Sequence, residues 1–244
     1  METRNDRLKK TEEMMRLQES LNVKTNGENW KAGTARNGKP INWYRAIYME
    51  LAEFVDSFPW KHWKDNEEMD RENAETELVD TWHFVLSLAL SKGFSAEEIG
   101  NRYFSYEEFV GDEDAGIRKE RMLDPLFVAE SLIALCASNS THLRDRGASN
   151  VGDRMPVSMI VTLFGYLTKS FGMDFEDLYS IYTTKNVLNK FRNDMGYADG
   201  TYRKIWAGKE DNEWAREFAR KTRTPEELYD ALKKFYIEGV EKGD

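Results

Sequence analysis

The chain of 244 residues carries 35 basic and 44 acidic side chains, a formal net charge of −9 that argues against binding nucleic acid by phosphate neutralisation. An aromatic content of 13% is too high for a disordered chain, and the absence of an apolar run of about 18 residues excludes a membrane span. One cysteine, Cys136, and three histidines are too few for a zinc cage. A bound metal is therefore expected to have oxygen ligands.

Apolar residues recur at helical spacing from end to end, while strand-like alternation is scarce, which predicts a nearly all-α fold. We predict one catalytic domain over residues 1–244. Its core covers 1–95 and 160–215, and a helical insertion covers about 95–160. The predicted helices are 6–22, 43–58, 68–92, 95–110, 124–138, 157–170, 174–195, 211–220 and 225–241.

The first chemical signal lies in the predicted helix 43–58, where Glu50 and Glu53 are three residues apart. This spacing puts both carboxylates on one face, beside the apolar stripe that contains Leu51 and Phe54. An isolated pair of this kind is usually the solvated edge of an amphipathic helix. The pair therefore indicates a functional site only if the next helix carries matching acids.

Glu77 and Asp80 repeat the spacing in a helix that is mostly apolar from Leu78 onward. Acids in a largely buried helix are unfavourable unless something compensates their charge. If the two helices pack antiparallel, four carboxylates converge, and their repulsion favours a divalent cation among them. Oxygen ligands alone select Mg²⁺, or Mn²⁺, over zinc. His83 is expected to be a buried core histidine rather than a ligand.

A basic group lies far along the chain, where Lys185, Asn189 and Arg192 occupy one stripe of the predicted helix 174–195. An ammonium, an amide and a guanidinium in line suit a chain of phosphates, although an ordinary exposed basic face remains an alternative. Gly196 is expected to end this helix, and a turn at Asp199-Gly200 to return the chain toward the same face. The returning residues are Tyr197, Tyr202, Arg203 and Lys204.

A third group has the residue types that recognise a nucleobase. Aromatic side chains crowd the first acidic helix and the segment FPWKHWK after it, and aromatic rings stack on bases. Gln18 and Asn22 offer amides for reading a base edge. The alternative is that the tryptophans are ordinary core residues. The aromatic residues concerned are Trp43, Phe58, Trp60 and Trp63.

These motifs, taken in order, resemble those of the dimeric, all-α dUTPase family of kinetoplastids, some bacteria and many bacteriophages, within the wider MazG-related group of all-α NTP pyrophosphohydrolases. The resemblance rests on LQxxLN, TNGxNW, ELAEFVDSFPWKHWK, ELVDTWHF and KNVLNKFRNDMGYADGTYRKIW. The matching blocks cover residues 14–90 and 178–212. The FPWKHWK segment and the basic C-terminal motif distinguish dUTPases from generic MazG proteins.

The resemblance implies a role for each group of residues. The four acids would hold Mg²⁺, and Glu53 would also orient and deprotonate the attacking water. Gln18 and Asn22 would read the uracil edge, and an aromatic group would close over base and sugar. That group is Trp60, His62 and Trp63. The phosphates would be bound by Lys185, Asn189, Arg192, Tyr197 and Lys204. Asn193, where related sequences often have Gln, and Asp194-Met195 depart from the family pattern.

The resemblance further implies that water attacks the α-phosphorus of dUTP to give dUMP and pyrophosphate, that dUDP is accepted too, and that the protein is a homodimer. The charged N-terminal segment lacks the apolar block of a secretion signal, so we expect a cytoplasmic protein, in the host cytoplasm if a phage encodes it. No membrane or nucleic-acid partner is expected.

Three alternatives to this interpretation are open. The first is another pyrophosphohydrolase specificity, for dCTP or for a broad range of NTPs, because an amide that flips reads uracil or cytosine. The second is a regulatory binding module that acts through the insertion at 95–160. The third is a purely structural helical protein, which is disfavoured because it leaves four inward-facing acids without a use.

Overall fold

The computed structural model describes residues 3–65, 68–107, 123–146 and 154–241, and it confirms the all-α prediction. Each helix predicted from periodicity is found, although residues 108–110 of the predicted helix 95–110 lie outside the described residues. The helices are α1 (Arg4–Asn26), α2 (Trp43–Asp56), α3 (Arg71–Ser91), α4 (Ala96–Tyr103), α5 (Pro125–Arg146), α6 (Arg154–Phe171), α7 (Phe175–Asp194), α8 (Asp211–Ala219) and α9 (Pro225–Glu241), with a short 3₁₀ helix at Trp30–Ala32.

Polar side chains cap the helices that carry the acidic motifs. Asn42 precedes α2, and its side chain accepts a hydrogen bond from the backbone N–H of Arg45. Asp70 precedes α3 and accepts from the N–H of Asn73 in the same way. Such caps satisfy backbone donors that a helix leaves open at its start, typically worth about 1 kcal/mol each. They fix where α2 and α3 begin.

The backbone contacts divide the chain into two compact units, Met1–Leu178 and Tyr179–Asp244, which we call the N-terminal and C-terminal units. Helix α7 begins in the first and continues in the second. Our prediction of one catalytic domain over 1–244 stays a prediction.

In the N-terminal unit, α3 lies at the centre and is buried along most of its length. Trp82 of α3 stacks on Phe164 of α6 with ring centroids 4.9 Å apart, and it has no exposed surface. Gly165 of α6 lets α4 approach closely, because a Cβ there would stand 2.0 Å from the carbonyl oxygen of Tyr103. The Tyr103 hydroxyl is 2.8 Å from that of Thr168, across the same contact.

The segment 95–160 is largely helical where it is described, and its residues 108–122 and 147–153 lie outside the described part. Helix α5 packs against α2 and α6, and α4 packs against α1 and α6. Val128, Leu132 and Cys136 of α5 are fully buried. Burial raises the pKa of the Cys136 thiol to about 12. The predicted insertion therefore contributes to the core of the N-terminal unit.

The C-terminal unit is built around aromatic side chains on α7, α8, α9 and a hairpin of β1 (Ile205–Trp206) and β2 (Lys209–Glu210). Phe191 of α7 is fully buried and contacts the ring of Trp206 at 5.6 Å and that of Tyr236 at 5.5 Å. Ala207 and Gly208 both have positive φ in the two-residue turn of the hairpin. Among the residues that the structure describes, no helix combines the length and apolar character needed to cross a membrane.

Candidate active site

Helices α2 and α3 form an antiparallel pair whose register is fixed at one end by Ser57. Its backbone carbonyl accepts a 2.9 Å hydrogen bond from the N–H of Asp70, and its hydroxyl accepts one of 2.9 Å from Nδ2 of Asn73. Residues that precede Ser57 in α2 therefore lie opposite residues that follow Asn73 in α3. This register brings the two acidic motifs opposite each other.

The side chains of Glu50, Glu53 and Glu77 each place a carboxylate oxygen within 4.8 Å of the others. Glu77 is buried, Glu50 is half-buried, and Glu53 is exposed at the open edge. Burial, together with the negative charges of Asp80, Glu77 and Glu53, raises the pKa of Glu50 to about 8. A carboxyl that is driven to hold its proton near neutral pH marks a site with an excess of negative charge.

The fourth predicted acid, Asp80, acts on Glu50 electrostatically more strongly than the other two carboxylates do, although it is not one of the three within 4.8 Å. His83, one turn further along α3, is buried, and its Nδ1 is 2.7 Å from Oε1 of Gln18. It thus has the structural position that the sequence suggested, in contact with a core amide.

The predicted base-reading amides, Gln18 and Asn22, are 3% exposed and lie in a polar network between α1 and α3. Nε2 of Gln18 donates to the hydroxyl of Ser87 at 2.9 Å, and Nδ2 of Asn22 donates to the same hydroxyl at 3.0 Å. The Ser87 hydroxyl lies 2.8 Å from the carbonyl oxygen of His83. The network fixes the orientation of both amides.

The predicted aromatic group, Trp60, His62 and Trp63, lies on the segment after α2 and is exposed. The rings of Trp60 and Trp63 meet edge to face at 5.5 Å, and those of His62 and Trp63 at 4.9 Å. Asp56 anchors the segment, because it accepts from Nε1 of Trp60 at 3.0 Å and pairs with Lys61 at 2.6 Å. The other two candidates are less accessible: Trp43 packs against Trp30, and Phe58 against Phe54.

In the C-terminal unit, the structure brings Lys185, Asn189 and Arg192 together on α7. Nη1 of Arg192 is 3.3 Å from Oδ1 of Asn189. Arg192 and Lys185 also share an acceptor, Oδ1 of Asn212, at 3.3 and 3.1 Å. Lys185 is only 8% exposed, which is unusual for a lysine and indicates a fixed position.

Gly196 ends α7 in the left-handed conformation, with φ of 87°, as the sequence predicted. Tyr197 follows it, exposed, with its ring 6.0 Å from that of Tyr202. Lys204 is exposed, and its backbone carbonyl accepts a 2.8 Å hydrogen bond from the N–H of Asp211. The backbone N–H of Tyr197 also donates to the carbonyl of Arg192 at 3.0 Å, whereas Lys204 is linked to Arg192 through Asp211.

Sequence analysis missed three residues that organise these groups. Ser87 joins the two amides in the N-terminal unit, whereas Asp211 and Asn212 join the cations in the C-terminal unit. No strong signal existed for the second pair either, since Asp and Asn in the first turn of a helix ordinarily interact with the start of that helix. No local signal marks Ser87.

The sequence profile of one protein family, described as dUTPase, matches residues 10–197, more than half of the chain. The match runs through the segment 95–160, for which the motifs gave no resemblance. Among curated proteins, none matches the chain.

The chain belongs to the dUTPase family, of the all-α type. It is accordingly a dUTP diphosphatase, a hydrolase of nucleotide metabolism whose substrate is a nucleotide. Enzymes of this kind generally depend on a divalent metal, and the acidic cluster of α2 and α3 has the donor set for one.

Proposed function

We propose that the protein hydrolyses dUTP, and also dUDP, in a reaction that depends on Mg²⁺ or Mn²⁺ held by Glu50, Glu53, Glu77 and Asp80. The observation that carries this proposal is the convergence of three carboxylate oxygens within 4.8 Å, with Asp80 acting electrostatically on one of them, that of Glu50. Opposite oxygen ligands of one Mg²⁺ ion are about 4.2 Å apart, so the donor spacing fits a hard cation. A cation would also offset the burial and the repulsion that together raise the pKa of Glu50.

We propose that Glu53 is the general base. It stands at the exposed edge of the cluster, where a substrate and water can reach it, whereas Glu77 is buried. Its backbone carbonyl accepts from the hydroxyl of Ser57 at 3.1 Å, which supports the last turn of α2. When bound, Mg²⁺ neutralises charge on the phosphates and makes water more acidic. Glu53 orients that water toward the α-phosphorus and takes its proton, giving dUMP and pyrophosphate from dUTP.

We propose that the basic group of the C-terminal unit binds the phosphates. Its support is the contact between the side chains of Asn189 and Arg192, and the acceptor that Arg192 shares with Lys185. An arginine fork and a lysine held in fixed positions suit phosphate oxygens. The proposed set, which includes residues of the following turn, is Lys185, Asn189, Arg192, Tyr197 and Lys204.

We propose that Gln18 and Asn22 read the uracil edge and that Trp60, His62 and Trp63 cover the base and sugar. The support for this proposal is the buried network that holds both amides in one orientation, because selective hydrogen bonding to a base edge needs a fixed pattern of donors and acceptors. The aromatic group is exposed and therefore accessible to a planar ligand. A flipped amide would favour cytosine instead, which keeps dCTP as the alternative substrate.

Several broader properties are part of the same proposal. The protein acts as a homodimer with one catalytic domain per chain, related to the MazG group of pyrophosphohydrolases. It works in the cytoplasm, where deoxynucleoside triphosphates are made and used.

The experiment that tests the proposed function is a pyrophosphate-release assay on dUTP, dCTP and dTTP, with Mg²⁺ and with EDTA. We expect release from dUTP that requires Mg²⁺ and exceeds release from dCTP by at least about 10²-fold. Equal turnover of the pyrimidine nucleotides would contradict base reading by the two amides. Turnover in EDTA would contradict the metal requirement.

A further inference from the structure

Asp211, the first residue of α8, is a fully buried carboxylate that forms an ion pair with Arg192. Its Oδ2 accepts from Nε of Arg192 and its Oδ1 from Nη2, both at 2.8 Å, so the pair is bidentate. The hydroxyl of Tyr202 donates to Oδ2 at 2.7 Å. A bidentate pair fixes the plane of a guanidinium as well as its position.

The next residue, Asn212, extends this arrangement to the second cation. Its Oδ1 accepts from Nζ of Lys185 at 3.1 Å and from Nη2 of Arg192 at 3.3 Å. The backbone N–H of Asp211 also donates to the carbonyl of Lys204. The start of α8 therefore contacts three of the five residues proposed to bind phosphate.

The charge of this group still favours an anion. Counted over these three described side chains, Lys185 and Arg192 carry two positive charges against the one negative charge of Asp211, so the three together are net positive. Both Asp211 and Asn212 lie beyond residue 197, where the family match ends.

We infer that Asp211 and Asn212 are positioning residues that hold Arg192 and Lys185 in the arrangement that binds the phosphates of the nucleotide. This inference rests on the proposed function. Side chains that are already ordered lose less conformational entropy when a ligand binds, so the expected consequence is tighter binding of the phosphates. Neither residue touches the reacting atoms in this account.

The test compares Asn212→Ala and Asp211→Asn with the wild-type protein and a control, using steady-state hydrolysis of dUTP. Asn212 is half-buried at a helix start, so its truncation should leave the protein folded. We expect Asn212→Ala to raise KM about 5- to 10-fold with kcat within about 2-fold, and Asp211→Asn to raise KM further. The inhibition constant of deoxyuridine, which has no phosphate, should stay within about 2-fold for both.

The control is Tyr229→Phe, which removes a hydroxyl-to-carboxylate hydrogen bond of the same kind, 2.8 Å from Tyr229 to Asp194, in the same unit. It should leave KM unchanged. A merely structural role for Asp211 would lower the active fraction, and hence the apparent kcat, at constant KM. If Asn212→Ala and folded Asp211→Asn both match the control in KM, the inference is overturned.

If Asp211→Asn does not fold, Asn212→Ala alone decides the matter. Failure of the wild-type protein to hydrolyse dUTP would instead remove the proposed function, so the two failures are distinguishable.

Discussion

The side-chain amide of Asn73, near the start of α3, donates a 2.9 Å hydrogen bond to the hydroxyl of Ser57, at the end of α2. Together with the backbone hydrogen bond from Asp70 to Ser57, this contact sets the register of the two helices. A slip of one residue would rotate the carboxylates of one helix by about 100° relative to the other. The register therefore determines whether the acids converge.

Asn73→Ala removes the side-chain hydrogen bond to Ser57 and leaves the backbone hydrogen bond from Asp70. We expect a loss of about 1 kcal/mol in the free energy of unfolding and a several-fold weaker apparent affinity for Mg²⁺ in the dUTP assay, with kcat at saturating Mg²⁺ close to that of the wild type. The control is Asn139→Ala, whose amide donates a hydrogen bond to the carbonyl of Leu135 in its own helix. An Mg²⁺ dependence equal to that of the control would show that the register does not need this bond.

Glu53→Gln keeps the shape of the side chain and removes its ability to take a proton. We expect kcat for dUTP to fall about 10²- to 10⁴-fold while KM changes little, because the proposed role lies in the chemical step. The exposed Glu12 on α1 provides the control Glu12→Gln, which should behave as wild type. Turnover that survives Glu53→Gln would remove Glu53 from the mechanism.

The raised pKa of Glu50 predicts how stability depends on pH when divalent metal is removed. Its carboxyl has an ordinary value of 4.5 and a folded-state value of about 8. Below pH 4.5 both states hold the proton and nothing is lost. Between pH 4.5 and 8 the unfolded state releases it first, so the folded state loses stability as the pH rises, on the order of 2 kcal/mol after allowance for solvent.

In EDTA, the melting temperature should therefore fall between pH 5 and 8, and Glu50→Gln should flatten that fall and raise the melting temperature at pH 8. Mg²⁺ added at pH 8 should raise the melting temperature of the wild type more than that of the variant. A wild-type profile identical to that of Glu50→Gln would refute the raised pKa of Glu50. Thermal unfolding followed by circular dichroism measures each of these quantities.

Ser87→Ala removes the hydroxyl that accepts from both Gln18 and Asn22. The buried amide of Asn22 then loses the acceptor of its Nδ2, whereas Nε2 of Gln18 keeps Oδ1 of Asn22 at 3.2 Å, and we expect a loss of about 1–3 kcal/mol in stability. If these amides read uracil, kcat/KM for dUTP should also fall relative to that for dCTP. Ser91→Ala, one turn further along α3, removes a hydrogen bond to the carbonyl of Leu88 and serves as the control. An unchanged substrate ratio would argue against base reading by this network.

Much of this architecture follows from local sequence patterns. The repeat of Ile47, Leu51 and Phe54 predicts α2, and acids at matching spacing in α3 predict the cluster once the helices pack antiparallel. Predicted and observed ends differ by a few residues, as for α2, which ends at Asp56 although the segment was predicted to continue to 58. Gly196 marked the end of α7 because few other residues adopt its left-handed conformation.

What the sequence could not supply is contact between distant segments. Gln18 and His83 are 65 residues apart, and no spacing rule relates them. Asp211 stands in a charged run where each residue resembles a solvated helix start, and only the fold makes it a buried partner of Arg192. Such pairs arise from tertiary packing, which periodicity does not encode.

The central claim is that the carboxylates of α2 and α3 together hold a divalent cation. The most direct measurement is a titration of the metal-free protein with Mn²⁺, with the free ion followed by electron paramagnetic resonance, for the wild type and for Glu50→Gln combined with Glu77→Gln. We predict that the wild type removes Mn²⁺ from solution stoichiometrically and that the double variant, folded by circular dichroism, binds it at least about tenfold more weakly. Equal binding by the two proteins would contradict the account.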